Sequence, residues 1–178
     1  QAIGFDNEAA SFAMTERMIE RGHRRIVYFA ARMDARTRLK IHGYERAMRA
    51  HGLEPRSLRT ERASSFTRGA LLLGQALERW PELDGVFCTN DDLAIGALFE
   101  CQRRGIAVPD RIGIAGFHGH DIAAVVVPRL ATVITPREEM GRRAADSLLR
   151  RLRGEPAGPP VVTLPFRIDE GGSLRPAS

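Results

Sequence analysis

A three-layer α/β sandwich built on a mostly parallel sheet is the fold this sequence predicts, on three observations. Short runs of branched and aromatic residues alternate with amphipathic stretches of helical length, glycine or proline closes each stretch, and the alternation recurs along the chain. Parallel strands joined through helices need right-handed crossovers, so helices come to cover both faces of the sheet.

The first helix lies in the stretch from Asn7 to Gly22, where Ala10, Met14, Met18 and Ile19 recur at helical spacing. Asp6 and Asn7 read as its cap, and Gly22 as the glycine just past its end. Arg25 to Ala30 follows as a strand buried on both faces. Residues 38–51 form the second helix, stopped by Gly52, and residues 58–62 a weaker strand. A third helix over residues 67–79 is closed by Trp80-Pro81, because proline cannot continue the hydrogen-bond ladder. Then come the strand Gly85–Thr89, a helix from Asp91 to Arg104 ended by Gly105, and a strand over residues 111–116. Further on, Ala131 to Ile134 reads as a strand and Arg137 to Arg153 as an amphipathic helix. Residues 154–160, with two glycines and three prolines, form a connector, and residues 161–164 and 166–168 extend again before a polar tail. The pattern is Rossmann-like. In such sheets ligands collect beyond the carboxyl ends of the strands, which singles out residues 31–38, 63–67, 89–92 and 117–121.

With 178 residues and 43% hydrophobic content, the chain can bury one substantial core. No run of about 18 apolar residues occurs, so no membrane span is expected. The chain starts at Gln1 and carries no signal-peptide pattern, and it reads as a fragment. Cys88 and Cys101 fall in a strand and a helix without CxxC spacing, which fits reduced thiols in a cytoplasmic protein. The formal charge of +5 invites a nucleic-acid reading. The arginines, however, are spread over every helix, and a solvated basic surface is the better expectation. Of 27 basic residues Lys40 is the single lysine.

No catalytic constellation emerges. Ser64 and Ser65 lie outside any nucleophile elbow, and Gly113 to Gly116 lacks the helix-opening pattern of a dinucleotide fingerprint. His118 and His120 lack a third ligand group, so a glycine-rich turn facing an organic ligand is expected rather than a metal. No catalytic residue, metal or cofactor is expected.

Several strings together resemble the lactose-repressor family of transcriptional regulators. They are Gly22-His23, Gly43-Tyr44, Phe87-Cys-Thr-Asn-Asp-Asp-Leu-Ala-Ile-Gly96, Val108-Pro-Asp110, Ile114-Ala-Gly-Phe117 and Pro128-Arg-Leu-Ala-Thr-Val133. Phe117-His-Gly-His-Asp-Ile122 and Leu130-Ala-Thr-Val-Ile-Thr-Pro-Arg137 are similar to gluconate-utilisation repressors.

The resemblance implies a periplasmic-binding-protein-like sensor that closes on a small effector and signals to a DNA-binding headpiece. Residues 1–135 would be the C-terminal lobe, residues 136–160 a helix and connector packing on an N-terminal lobe, and residues 161–178 the last strands and tail. The headpiece and nearly all of the N-terminal lobe would be missing. Lys40 stands where relatives place an arginine against the effector, and a compact ammonium can contact several oxygens at once. Asp34, Arg36 and Arg38 precede it on what reads as the same loop, with Arg36 the best second contact for a carboxylate. Asn90 offers a donor and an acceptor to a hydroxyl, or caps the following helix. His118 replaces an aspartate and Ser64 an aromatic ring, and Thr135 completes the expected set. These departures favour an open-chain sugar acid such as gluconate. Ile95, Leu98, Val125, Val126 and Val127 match the family's dimer surface. Operator DNA would be reached through the absent headpiece. A solute-binding protein for transport shares the fold and is the alternative, and a Rossmann-like enzyme would need a constellation not found.

Overall fold

The chain runs β1 (Ala2–Gly4), α1 (Asn7–Glu20), β2 (Ile26–Ala31), α2 (Ala35–Ala50), β3 (Arg56–Thr60), α3 (Phe66–Arg79), β4 (Gly85–Cys88), α4 (Asp91–Arg103), β5 (Gly113–His118), α5 (Asp121–Val125), β6 (Ala131–Ile134), α6 (Arg137–Leu152), β7 (Val161–Thr163) and β8 (Arg167–Asp169). This computed structural model describes residues 1–156 and 158–177. Ala157, in the expected connector, and Ser178, the end of the expected tail, lie outside them.

Six strands form one sheet in the order β3-β2-β4-β5-β6-β8, parallel except for the antiparallel β6–β8 pair. Strand β2 shows why the sheet is covered on both sides. Val27, Phe29 and Ala31 belong to one apolar cluster with Leu72 and Leu73 of α3 and Leu93 and Leu98 of α4. Ile26, Tyr28 and Ala30 belong to another with Met14 and Met18 of α1 and Tyr44 and Met48 of α2. The side-chain period of two sends each set to its own helical layer. Phe87 sits between Tyr28 (centroids 5.1 Å apart) and Phe117 (6.5 Å).

Glycines let the helices of each layer touch backbone to backbone. A Cβ on Gly96 of α4 would collide with the Phe66 carbonyl of α3, one on Gly69 with the Leu93 carbonyl, and one on Gly43 of α2 with the Glu8 carbonyl of α1.

Helix α4 corrects one expectation. Ile95 and Leu98 are completely buried within this chain, packed between the sheet and α3, so neither is free to meet a partner. A helix apolar on nearly every side is a buried helix. Of the expected interface residues, Val125 and Val127 are 75% and 76% exposed, while Val126 packs partly on the core.

Helix α2 starts at Ala35, three residues earlier than expected, because Asp34 caps it by accepting from the Thr37 amide at 2.9 Å. Arg36 and Arg38 therefore lie on the first helical turn and not on a loop. Strand β5 is displaced from the expected 111–116 to Gly113–His118. The three-residue β1, the short α5 and the reversal of β8 were not anticipated.

β1 and β7 pair in parallel as a separate two-stranded ladder, with α6 lying against β1. No residue of α6 is buried. At the opposite edge from the strand carboxyl ends, Trp80 follows α3, with the guanidinium of Arg79 4.6 Å and that of Arg56 5.8 Å from its ring centroid. Both cysteines are free and buried. Among the described residues no helix is long and apolar enough to cross a membrane.

Candidate ligand-binding cavity

The sheet order reverses between β2 and β4, since β3 lies outside β2 on one side and β5 outside β4 on the other. At such a switch point the loops leave in opposite directions and open a crevice. A cavity of about 330 Å³ lies there. Ala31, Arg32 and Asp34 line it from the end of β2, Arg36, Thr37 and Lys40 from α2, Ala63 and Ser64 from the loop after β3, Thr89 and Asn90 from the end of β4, and His118 from the end of β5.

Three helices start at this rim. α2 is capped by Asp34, α3 by Ser65 and α4 by Asn90, each accepting a backbone N–H of the first turn. Their dipoles add positive potential. Three cationic side chains, Arg32, Arg36 and Lys40, face a single carboxylate, Asp34, which Arg36 pairs at 3.3 Å.

The backbone marks the same place. Among the described residues, the non-glycine positions with positive φ are Arg32 (54°) and His118 (108°), and both line the cavity. A side chain held in this region costs about 1–3 kcal/mol and persists where surrounding structure enforces it.

Lys40 is the centre of the arrangement. Its side chain is buried, and Nζ donates to the Thr89 carbonyl at 3.0 Å. Nζ lies 3.2 Å from His118 Nε2 and 3.9 Å from the Phe117 ring centroid. Burial first and the Arg36 guanidinium second bring the ammonium down to about 7, against the opposing pull of Asp34 and Asp91. Burial, and next Lys40, hold the His118 imidazolium down to about 3. His118 is thus neutral near pH 7, Nε2 is free to accept from the ammonium, and the ring proton belongs on Nδ1. An ammonium has three N–H bonds, and with two committed to Thr89 and His118 the third is left for a ligand.

Asn90 caps α4 and also reaches the cavity wall. Oδ1 accepts from the Leu93 amide (3.2 Å) as a cap, and Nδ2 donates to Ser64 Oγ (2.7 Å) on the cavity wall. Ser64, accepting there, keeps its own O–H as a donor.

Of the eight expected effector contacts, Asp34, Arg36, Lys40, Ser64, Asn90 and His118 come together at the cavity. Arg38 does not, since on the first turn of α2 it points to solvent. Thr135 does not line it either: its hydroxyl is 3.4 Å from the His118 carbonyl, and it faces a separate concavity at the start of α6. Sequence reasoning missed Arg32, Thr37 and Thr89. All three fall within the strand-end segments singled out, but only the structure shows the left-handed turn that brings Arg32 to the rim.

A larger concavity of about 710 Å³ lies between α6 and the β1–β7 ladder. Its walls are arginines, prolines and aliphatic stems from one amphipathic helix and a short ladder, with no convergence of strand ends.

A doubly covered parallel sheet with a cationic cavity at its carboxyl edge defines a ligand-binding lobe. The sequence profile described as "Periplasmic binding protein-like domain" matches residues 15–174. The chain is 55% identical over 173 residues to "HTH-type transcriptional regulator GntR" of Escherichia coli K12, covering 97% of this chain and 52% of that protein. It is 43% identical to "HTH-type transcriptional regulator IdnR" of the same organism, with 97% and 52% covered. The crystal structure of transcription regulator GntR from Chromobacterium violaceum superposes with a TM-score of 0.94 at 40% identity, over 97% of this chain and 64% of that one. The chain belongs to the periplasmic binding protein-like domain family, in the form carried by lactose-repressor-family regulators. It spans about half the length of the curated relatives it matches.

Proposed function

We propose that this chain is the sensing lobe of a cytoplasmic transcriptional repressor whose effector is a small sugar acid such as gluconate. The observation that carries the reading is Lys40, a buried ammonium with one N–H to spare, in a cavity where cations outnumber carboxylates. A neutral sugar would leave that charge without a partner, whereas a carboxylate supplies one. The hydroxyls of Ser64 and Thr37 and the amide of Asn90 suit the alcohol groups of an open chain. A cavity of about 330 Å³ has room for a molecule of that size.

The regulator names of the relatives support a role in transcription without enzymatic activity. Operator DNA would be contacted by a headpiece outside this chain, and residues 136–160 would pack on a second lobe, since α6 buries none of its own residues here. Effector binding alters DNA binding only if the two conformations bind the effector unequally. A homodimer would use Val125 and Val127 together with Phe99, which is 46% exposed and one turn from Gln102, the donor to the Val127 carbonyl.

Isothermal titration of the full-length protein with gluconate, glucose and ribose tests the ligand. Gluconate alone should bind, and Lys40→Met should abolish the heat. Binding of a neutral sugar alone, or full gluconate binding by Lys40→Met, would overturn the sugar-acid reading.

A further inference from the structure

Asp91, the first residue of α4, is fully buried and does not line the cavity. A buried acid costs several kcal/mol unless its oxygens are satisfied, and here both are. Oδ1 accepts from the Thr132 hydroxyl at 2.6 Å and Oδ2 from the His120 amide at 2.7 Å. Thr132 Oγ1 also accepts from the Gly119 amide at 3.3 Å. The two peptide groups that follow His118 thus hang, directly or through one hydroxyl, from a single carboxylate. Gly116 makes room for it, because a Cβ there would collide with Asp91 Oδ1.

This clamp explains how His118 is held at φ 108°, a conformation its side chain disfavours, with Nε2 turned to Lys40. The carboxylate is also a charge. The groups facing Lys40 are Arg32 before α2, Asp34 and Arg36 at its start, His118 with His120 behind it, Asp91 of α4, and Arg137, which reaches across to the Gly119 carbonyl. The arginines oppose a cation at Nζ. Asp34 acts on Nζ more strongly but is shared with Arg36 at the rim, and Asp91 adds a second, buried carboxylate that no guanidinium pairs.

We propose that Asp91 is a positioning residue for ligand binding: it clamps the His118 turn against Lys40 and, with Asp34, supplies negative charge that favours the ammonium for an arriving carboxylate. The ligand part of this inference rests on the sugar-acid reading of the cavity. The effect on Lys40 does not.

Lys40 is the sole lysine of these 178 residues. In full-length protein carrying carbon-13 lysine, its side-chain NMR signal is assigned by its loss in Lys40→Arg and followed against pH. Asp91→Asn should move the Lys40 midpoint down by about one pH unit and weaken gluconate binding at pH 7 about fivefold, a loss recovered on lowering the pH by a similar step. Thr132→Val, which keeps the charge but unhooks the turn, should act in the same direction with a smaller effect, and Thr132→Ser should restore it. An unchanged Lys40 midpoint in folded Asp91→Asn would overturn the proposal. Should Asp91→Asn fail to fold, an unchanged midpoint in Thr132→Val overturns it instead. A shifted midpoint in a protein that binds no sugar acid would sink the ligand and leave Asp91 in its role.

Discussion

The six-stranded sheet with its four flanking helices and the group formed by α6, β1 and β7 are written in the same language of amphipathic pattern, and they end differently. In the sheet, both helical layers meet apolar faces, and Tyr28, Phe29, Phe87 and Phe117 are completely buried. In α6 the pattern is just as visible, yet Leu148, Leu149 and Leu152 are 59%, 49% and 76% exposed. β1 and β7 form a parallel ladder of two strands, an arrangement that parallel sheets rarely leave uncovered. An amphipathic period reveals that a helix forms and which face is apolar. It does not reveal what covers that face.

The largest test of this contrast is a pair of truncations. Phe87→Ala should cost about 3–5 kcal/mol in urea unfolding, through lost burial and a residual cavity. Leu152→Ala should stay within about 0.5 kcal/mol for this chain. A loss above about 2 kcal/mol for Leu152→Ala in the full-length protein would show that a second lobe covers it there. The next test uses two helix-interior glycines. Gly96→Ala should destabilise by about 1–3 kcal/mol, because its Cβ has only the Phe66 carbonyl to push against. Gly141→Ala, with open space around its Cβ, should stabilise α6 by up to about 1 kcal/mol. A shared sign for the two would erase the distinction between covered and uncovered helices.

The smallest effect is one of pH, and it sets the cavity against the core. Folded Lys40 titrates near 7, below the ordinary 10.5, so between these values the unfolded chain binds more protons than the folded one. Its contribution to stability therefore improves as pH rises across that window. Affinity for an anionic effector should run the other way, falling by up to about tenfold per pH unit above 7. Near pH 7 binding should draw a proton onto the protein, seen as a dependence of the titration heat on buffer ionisation enthalpy. A flat affinity between pH 6 and 9 would remove Lys40 from the contact.

Much of this was legible in the residues. Strand β6 was read to the residue, α4 and α6 to within one at each end, and Lys40 drew notice because arginine had been used everywhere else. The start of α2 escaped because Arg36, Thr37 and Arg38 give its first turn no apolar period, although Asp34 three residues before Thr37 was a capping signal. β1 escaped because its partner lies some 159 residues away, a distance at which local pattern carries no information. Ile95 and Leu98 were placed on a dimer surface by resemblance, while the apolar residues surrounding them on α4 already argued for burial. The left-handed turns at Arg32 and His118 had no sequence signal, since neither is glycine or asparagine, and Asp91 was hidden behind the more conspicuous cap Asn90.

The position of Trp80 decides how this molecule can be watched. The sole tryptophan stands at the amino-terminal rim of the sheet between Arg56 and Arg79, with the whole length of the strands separating it from Lys40. Its emission should report the loss of the core on denaturation and stay dark to occupancy of the cavity. An optical assay for the effector therefore needs an indole placed at the other rim, and Ala63, which lines the cavity at the end of the β3 loop, is the natural site for one.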